Sequence, residues 1–354
     1  MKTISLSLSY DDVLLIPQYS KIHSRNDVSL ESQITPKIKL TTPIISANMS
    51  DATDAKLAIA LGKLGGLGVL PRFDSIASHA SQVAKVKKQN VIVGGAIGSR
   101  NGIIPRAQAL VAAGVDVLFL DVAHGHMQKA ISATRKLKRM FGGKIDIVSG
   151  NVATFEAAKA LFLAGADSVK VGVGPGSICT TRIETGSGVP QITAILEASR
   201  AAKKYNKTII ADGGTKNSGD IVKALAAGSC AIMTGSLLAG SKQSPGKLIK
   251  KNGLFFKQYN ASTSLAEKKK HVRRNGKELE THYIKQIEGV ESLVEYKGDL
   301  KDVIEKMNAN IRSGFSYSGA KNIAQLWKKA QFTQITASGM RESGSHDVLL
   351  VKKS

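Results

Sequence analysis

The chain is poor in several residue types, and each shortage excludes something. It has two cysteines in 354 residues, Cys179 and Cys230. Two thiols so far apart cannot build a disulfide scaffold or a cysteine-rich zinc module, and such sparse use suits a reducing compartment. Aromatics make up 5 %, with Trp327 the one tryptophan, and no RNA- or DNA-binding motif accompanies the basic residues. No apolar run approaches the ~18 residues of a membrane span. The opening MKTISLSLSYDDVLLIP carries Asp11 and Asp12 and no long apolar stretch, so no secretory signal is expected. Acids are also scarce, 27 Asp and Glu against 50 Lys and Arg, for a net charge of +23. Charge of that sign steers small anions and keeps helix faces solvated. The lysines are spread along the chain, so nucleic acid is not an expected partner. The expectation is a cytoplasmic protein with no membrane contact.

What is present is a large apolar fraction, 42 %, enough for a substantial core and too much for disorder. Short apolar runs recur at 43–47 (PIISA), 66–70 (GLGVL), 91–96 (VIVGGA), 117–121 (VLFLD), 145–149 (IDIVS), 168–171 (SVKV), 208–211 (TIIA) and 231–234 (AIMT). They are too short for helices and read as strands buried on both faces of a parallel sheet. Helix-like stretches lie between them, such as 54–64, 155–163 and 219–227. Several end in Ala-Gly, at 113–114, 164–165 and 227–228, which fits a glycine C-cap. Eight βα units in series predict a single (β/α)8 barrel over residues 1–354. Barrel chemistry sits at the C-terminal ends of the strands, and the loops after strands seven and eight commonly bind phosphate. Here those two loops begin Asp212-Gly213-Gly214 and Gly235-Ser236.

After strand eight the pattern changes. Residues 241–285 are basic and weakly periodic, with Lys268-Lys269-Lys270 and Arg273-Arg274. Loops this long in a compact domain are usually lids or disordered, and the expectation is a solvated, mobile basic flap over 241–290. Helical character returns at 300–310 and 320–330, and the tail 336–347 is polar.

The most informative segment is KVGVGPGSICTTRIETGSGVPQ, 170–191. Gly172, Gly174 and Gly176 let the backbone turn tightly and approach a ligand or ion. The spacing is GxGxG, so it is not a dinucleotide fingerprint. Cys179 follows at a strand end, flanked by Thr180, Thr181 and Arg182, surroundings that make a thiol a nucleophile. Cys230, inside an apolar run, reads as an inert core thiol. His124-Gly125-His126 lacks a third ligand, so zinc is not expected.

GVGPGSICTTR resembles the active-site loop of the IMP dehydrogenase / GMP reductase family. SYDDVLLIP (9–17), SANM (46–49), DVAHGH (121–126), GNVAT (150–154), ADGGTKNSGDIVKALAAG (211–228) and TGSLLAG (234–240) follow in family order. The resemblance covers nearly the whole chain. It implies that Cys179 attacks C2 of a purine nucleotide and forms a covalent thioimidate. Asp212 would hold the ribose hydroxyls, and Ser177, Gly214, Gly235, Ser236 and Tyr259 the 5′-phosphate. Met49 would lie against the nucleotide, with Gly213, Ser262 and Gly289 on the same side. Arg72, Asp121, Val122, Ala123, Asn151, Val173 and Gly174 would border a nicotinamide cofactor, Arg72 meeting its phosphate. Carbonyls of Gly174, Gly176 and Cys179 resemble a potassium-binding turn.

The resemblance covers two reactions. Family dehydrogenases usually carry inserted regulatory subdomains after strand two, whereas here residues 74–90 connect two strands directly. The dehydrogenase flap has an Arg-Tyr pair and a YxGMGS motif. This chain reads Thr281-His282-Tyr283 and Tyr259-Asn260-Ala261-Ser262-Thr263-Ser264 instead. These departures imply a GMP reductase, with NADPH and with Thr181 and Glu288 as the proton-handling pair. CTTRIETGSGVPQ and GMRESGSHDV resemble the dehydrogenases, so IMP oxidation with NAD is the alternative. A homotetramer is implied, with Glu342, Ser343 and Ser345 reaching a neighbour's cation turn.

Overall fold

In a computed structural model, residues 4–99, 102–275 and 284–348 are described. Thr281, His282 and Tyr283 lie outside them, so the flap pair read from sequence has no structural counterpart here. Eight parallel strands close a barrel: β1 (Ile44–Ser46), β2 (Leu67–Leu70), β3 (Val93–Ile97), β4 (Val117–Asp121), β5 (Asp146–Val152), β6 (Ser168–Val171), β7 (Thr208–Asp212) and β8 (Ala231–Thr234). Each strand pairs with its sequence neighbours, and β8 closes on β1. All eight runs named from sequence are these strands.

Helices α1 (Ala55–Lys63), α2 (Ile76–Lys87), α3 (Ile103–Ala112), α4 (Gln128–Phe141), α5 (Phe155–Leu163), α6 (Gln191–Tyr205) and α7 (Ser218–Ala226) follow strands one to seven in order. The eighth outer position belongs to α8 (Leu300–Tyr317), which packs against α7 and α1. Side-chain caps start several of them: Asp54, Thr154 and Asn217 accept the amides of Leu57, Ala157 and Asp220 at 2.9, 3.2 and 3.0 Å. The glycines after α3, α5 and α7 take positive φ, 90°, 102° and 113°, the left-handed conformation that ends a helix.

Strand residues alternate between two cores. Ile45, Leu67, Val69, Val117, Phe119 and Ile210 fill the barrel interior, whereas Ile44, Leu118, Leu120, Val169 and Val171 pack outward against the helices. A hairpin of Ser32–Thr35 and Ile38–Leu40 adds Ile34, Ile38 and Leu40 to the interior core. It is tied there by Ser32 Oγ donating to the Cys230 carbonyl at 2.5 Å and by the Lys37 amide on Asp146 Oδ2 at 2.7 Å. Hydrophobic burial of this extent, at roughly 25 cal/mol per Å², is the main term holding the barrel together.

The segment after β8 carries more regular structure than its weak periodicity suggests. It is not structureless: β9 (Leu248–Lys251) and β10 (Leu254–Gln258) form an antiparallel hairpin, and β11 (Leu293–Glu295) adds to β10. A helix, Leu265–Asn275, lies between. Asn252 and Gly253 link the hairpin with φ of 51° and 78°. An Asn-Gly pair with both φ positive is a strong two-residue hairpin turn, and that signal lay in the sequence among the lysines.

Candidate active site

The loop after β6 brings Cys179 over the C-terminal end of the barrel. Its amide donates to the Gly176 carbonyl at 3.1 Å, and its backbone bridges Gly289. The Thr180 amide donates to the Glu288 carbonyl, and the Val290 amide to the Ile178 carbonyl, both at 3.0 Å. The cysteine loop and the 288–290 segment are therefore one backbone unit. Within it, Cys179 Sγ donates to Thr181 Oγ1 at 3.1 Å, and Thr181 Oγ1 donates to Glu288 Oε2 at 2.8 Å. The three groups form a chain along which a proton can pass from thiol to carboxylate.

Beneath this loop, four adjacent strands contribute a polar network. Lys170, on β6 and 2 % exposed, reaches Asp212 Oδ2 of β7 at 2.5 Å and Asp121 Oδ1 of β4 at 3.5 Å. It also donates to Asn151 Oδ1 of β5. Asn151 Nδ2 donates onward to Asp212 Oδ2 at 2.9 Å and to the Gly172 carbonyl at 2.8 Å. Burial disfavours the Lys170 cation, but Asp212 and Asp121 outweigh it and hold the ammonium above its ordinary value. Burial likewise opposes the Asp121 charge, and Lys170 and Arg72 outweigh it, holding that carboxyl below its usual range. Gly172 has to be glycine here, since a Cβ would lie 2.1 Å from the Asp212 carbonyl oxygen.

Two cavities meet at Gly176, Gly213, Gly235 and Tyr259. One, about 290 Å³, is lined by Met49, Arg72, Asp121, Val122, Ala123, Asn151, Val173, Gly174, Cys179, Thr181, Asp212, Ser262 and Glu288. The other, about 250 Å³, is lined by Ser177, Gly214, Ser236, Arg182 and Lys216. Every site residue read from sequence lines one of them, except Gly289, which joins through the Cys179 bridge. Arg182 donates to the Val173 and Val189 carbonyls at 3.2 and 2.6 Å, bracing the loop. Tyr259 is buried, with its hydroxyl 3.8 Å from Met49 Sδ; burial pushes its phenol up. Arg72 turns inward, its Nε 3.5 Å from Asp121 Oδ2. A larger cleft, about 1080 Å³, lies between α7 and α8 and shares only Lys216 with these cavities among the residues named.

Sequence reasoning missed Lys170. Its run, Ser168-Val169-Lys170-Val171, reads as apolar, yet period-two alternation sends Val169 and Val171 outward and Lys170 to the other face. A lysine at an inward position of a barrel strand was the available signal. Trp327 stays partly exposed, its indole donating to the Leu225 carbonyl at 2.9 Å. Cys230 is buried and its thiol pushed up to about 12 by that burial, as suits a core residue.

Comparison with known proteins places this arrangement. An IMP dehydrogenase / GMP reductase domain matches residues 7–346. The chain is 35 % identical to inosine-5′-monophosphate dehydrogenase of Aquifex aeolicus, covering 100 % of this chain and 98 % of that protein. It is 39 % identical to the enzyme of the same name from Cryptosporidium parvum, covering 99 % and 98 %. Among solved structures it resembles GMP reductase from Trypanosoma brucei, carrying a cysteine-to-alanine change and in complex with guanosine 5′-monophosphate. That match has a TM-score of 0.93 at 28 % identity, over 98 % of this chain and 99 % of the other. A barrel with a cysteine over its mouth and glycine-lined cavities beside it thus has its kin among purine nucleotide oxidoreductases, and the chain belongs to the IMP dehydrogenase / GMP reductase family.

Proposed function

We propose that the protein is a GMP reductase, converting GMP to IMP and ammonia with NADPH. The observation that carries this is the Cys179–Thr181–Glu288 chain. When Cys179 Sγ adds to C2 of the guanine, a C–S bond forms and the thiol proton passes through Thr181 to Glu288. The same proton then returns to the departing amine, the C2–N bond breaks and ammonia leaves. Amine expulsion needs a positioned acid, and a carboxyl joined to the thiol by one hydroxyl supplies it. Asp212 would take the ribose hydroxyls, and the cavity around Ser177, Gly214, Gly235 and Ser236 the phosphate, through free backbone N–H groups.

The wall formed by Asp121, Val122, Ala123, Asn151, Val173 and Gly174 fits a nicotinamide ring, with apolar surface and amide partners side by side. Arg72 Nε there is buried without a hydrogen-bond partner. The dinucleotide, when bound, supplies the hydride that C2 takes as the C–S bond breaks. The carbonyls of Gly174, Gly176 and Cys179 suit a potassium ion, and a homotetramer would complete its shell from a neighbouring tail. The support for reduction is the direct connection from β2 to β3 through the single helix α2, together with the departures at 259–264 and 281–283. The second reading, IMP oxidation with NAD, is favoured by the names of the curated relatives.

The test is absorbance at 340 nm with potassium present. A fall with GMP and NADPH, with ammonia released, supports the reductase. A rise with IMP and NAD replaces it with the dehydrogenase.

A further inference from the structure

The loop from β2 to α2 carries Arg72 and Phe73, and its position is set from outside the cavity. Arg106, on α3, reaches under it. Its Nη2 donates to the Asp74 carbonyl at 2.9 Å, and its Nη1 lies 3.3 Å from His79 Nδ1. His79, on α2, is fully buried. The same Asp74 is gripped a second time, by Gln82 Nε2 on Oδ2 at 3.1 Å, while Gln82 Oε1 accepts the Ala55 amide at the start of α1. Two outer helices therefore hold one loop residue, and Gln82 ties the second of them to the start of α1.

Arg106 is a cation beside a second cation. It lies close enough to Arg72 for their charges to oppose each other. Arg72 lies over the Phe73 ring, 4.6 Å from its centroid, and reaches on to Asp121 at 3.5 Å. Its guanidinium packs beside Gly98, at ordinary van der Waals distance from where a Cβ there would stand. Phe73 in turn stacks on His271 of the flap helix, with centroids 4.0 Å apart and planes 5° apart. His79 suits the role of acceptor: burial and the Arg106 charge push its imidazole down to about 4, so near neutral pH it is uncharged.

We infer that Arg106 is a positioning residue: it pins the 71–75 loop at Asp74 and directs Arg72 onto Asp121 without itself touching the cavity. The kinetic consequence rests on the reading of the Arg72–Asp121 side as the dinucleotide side. The experiment uses the full chain with Arg106→Leu and Arg106→Lys. Thermal unfolding and circular dichroism check folding, and crystals of wild type and variants are compared. In the leucine variant the Arg72–Asp121 approach should be lost. KM for the dinucleotide should rise about tenfold or more while nucleotide affinity stays unchanged, and lysine should restore part of both. Retained Arg72–Asp121 geometry in a folded Arg106→Leu variant overturns the inference, as does an equal loss of nucleotide affinity. If wild type turns over neither substrate pair, the proposed function fails alone, and the crystal comparison still judges Arg106.

Discussion

Lys170 Nζ and Asp212 Oδ2 stand 2.5 Å apart inside the barrel, one strand from each other and directly below the cysteine loop. Lys170 is buried and Asp212 partly so, and removing the ammonium leaves Asp212 and Asp121 without the cation they share. Lys170→Met should therefore destabilise the fold by roughly 3–5 kcal/mol in urea unfolding. Whatever folds should bind nucleotide poorly, since Asp212 loses the cation that fixes it. A variant of wild-type stability would show that water replaces the ammonium freely.

Cys179→Ala removes the nucleophile and little else, since the loop is held by backbone bonds to Gly176 and Glu288. Turnover should vanish while calorimetric binding of GMP or IMP persists. Measurable turnover by the alanine variant would rule out covalent catalysis through this residue.

Glu288→Gln keeps the hydrogen bond to Thr181 but cannot take or return a proton. The expected effect is a fall in kcat of about 10²–10⁴ with KM for nucleotide little changed. Thr181→Val breaks the same chain one link earlier. The double variant should be no slower than either single one, as for groups acting as a unit. Additive losses would mean that the two residues act separately.

Gly235 sits against Tyr259, and a Cβ there would lie 2.0 Å from the phenolic oxygen. Gly235→Ala must push the ring aside in the cavity assigned to phosphate. Nucleotide affinity should drop about tenfold, or ~1.4 kcal/mol, by calorimetry. Unchanged affinity would place the phosphate elsewhere.

His79 gives a pH signature. Its folded value is about 4, below the ordinary 6.5. The neutral ring contributes its stability above pH 6.5, and that contribution is lost as pH falls towards 4, at up to about 1.4 kcal/mol per pH unit. Denaturant curves from pH 7 to 4 should fall more steeply for wild type than for His79→Gln, which cannot charge. Parallel curves would mean that His79 protonates in place at no cost.

The eight strands were legible because parallel barrel strands are apolar runs with little else between helices, and 117–121 or 231–234 admit few other readings. The helix ends were legible through glycines that only a left-handed turn requires. Lys170 was hidden by the same property that revealed its strand: two outward valines flank it, and a run scored as apolar conceals which face is wet. The hairpin at 248–258 was masked by its lysines, of which Lys250 and Lys251 are exposed while Lys257 is buried on the Ser244 carbonyl. Cys179, Thr181 and Glu288 could be named from the family's motifs, but their order in a hydrogen-bonded chain depends on a pairing across more than a hundred residues. No local pattern encodes that.

The hairpin at Ser32–Leu40 fills the far end of the barrel with Ile34, Ile38 and Leu40. The barrel is thus a vessel with a floor. In the proposed reaction both substrates and the released ammonia would have to pass by the opposite end, where the strands' C-terminal loops carry Cys179.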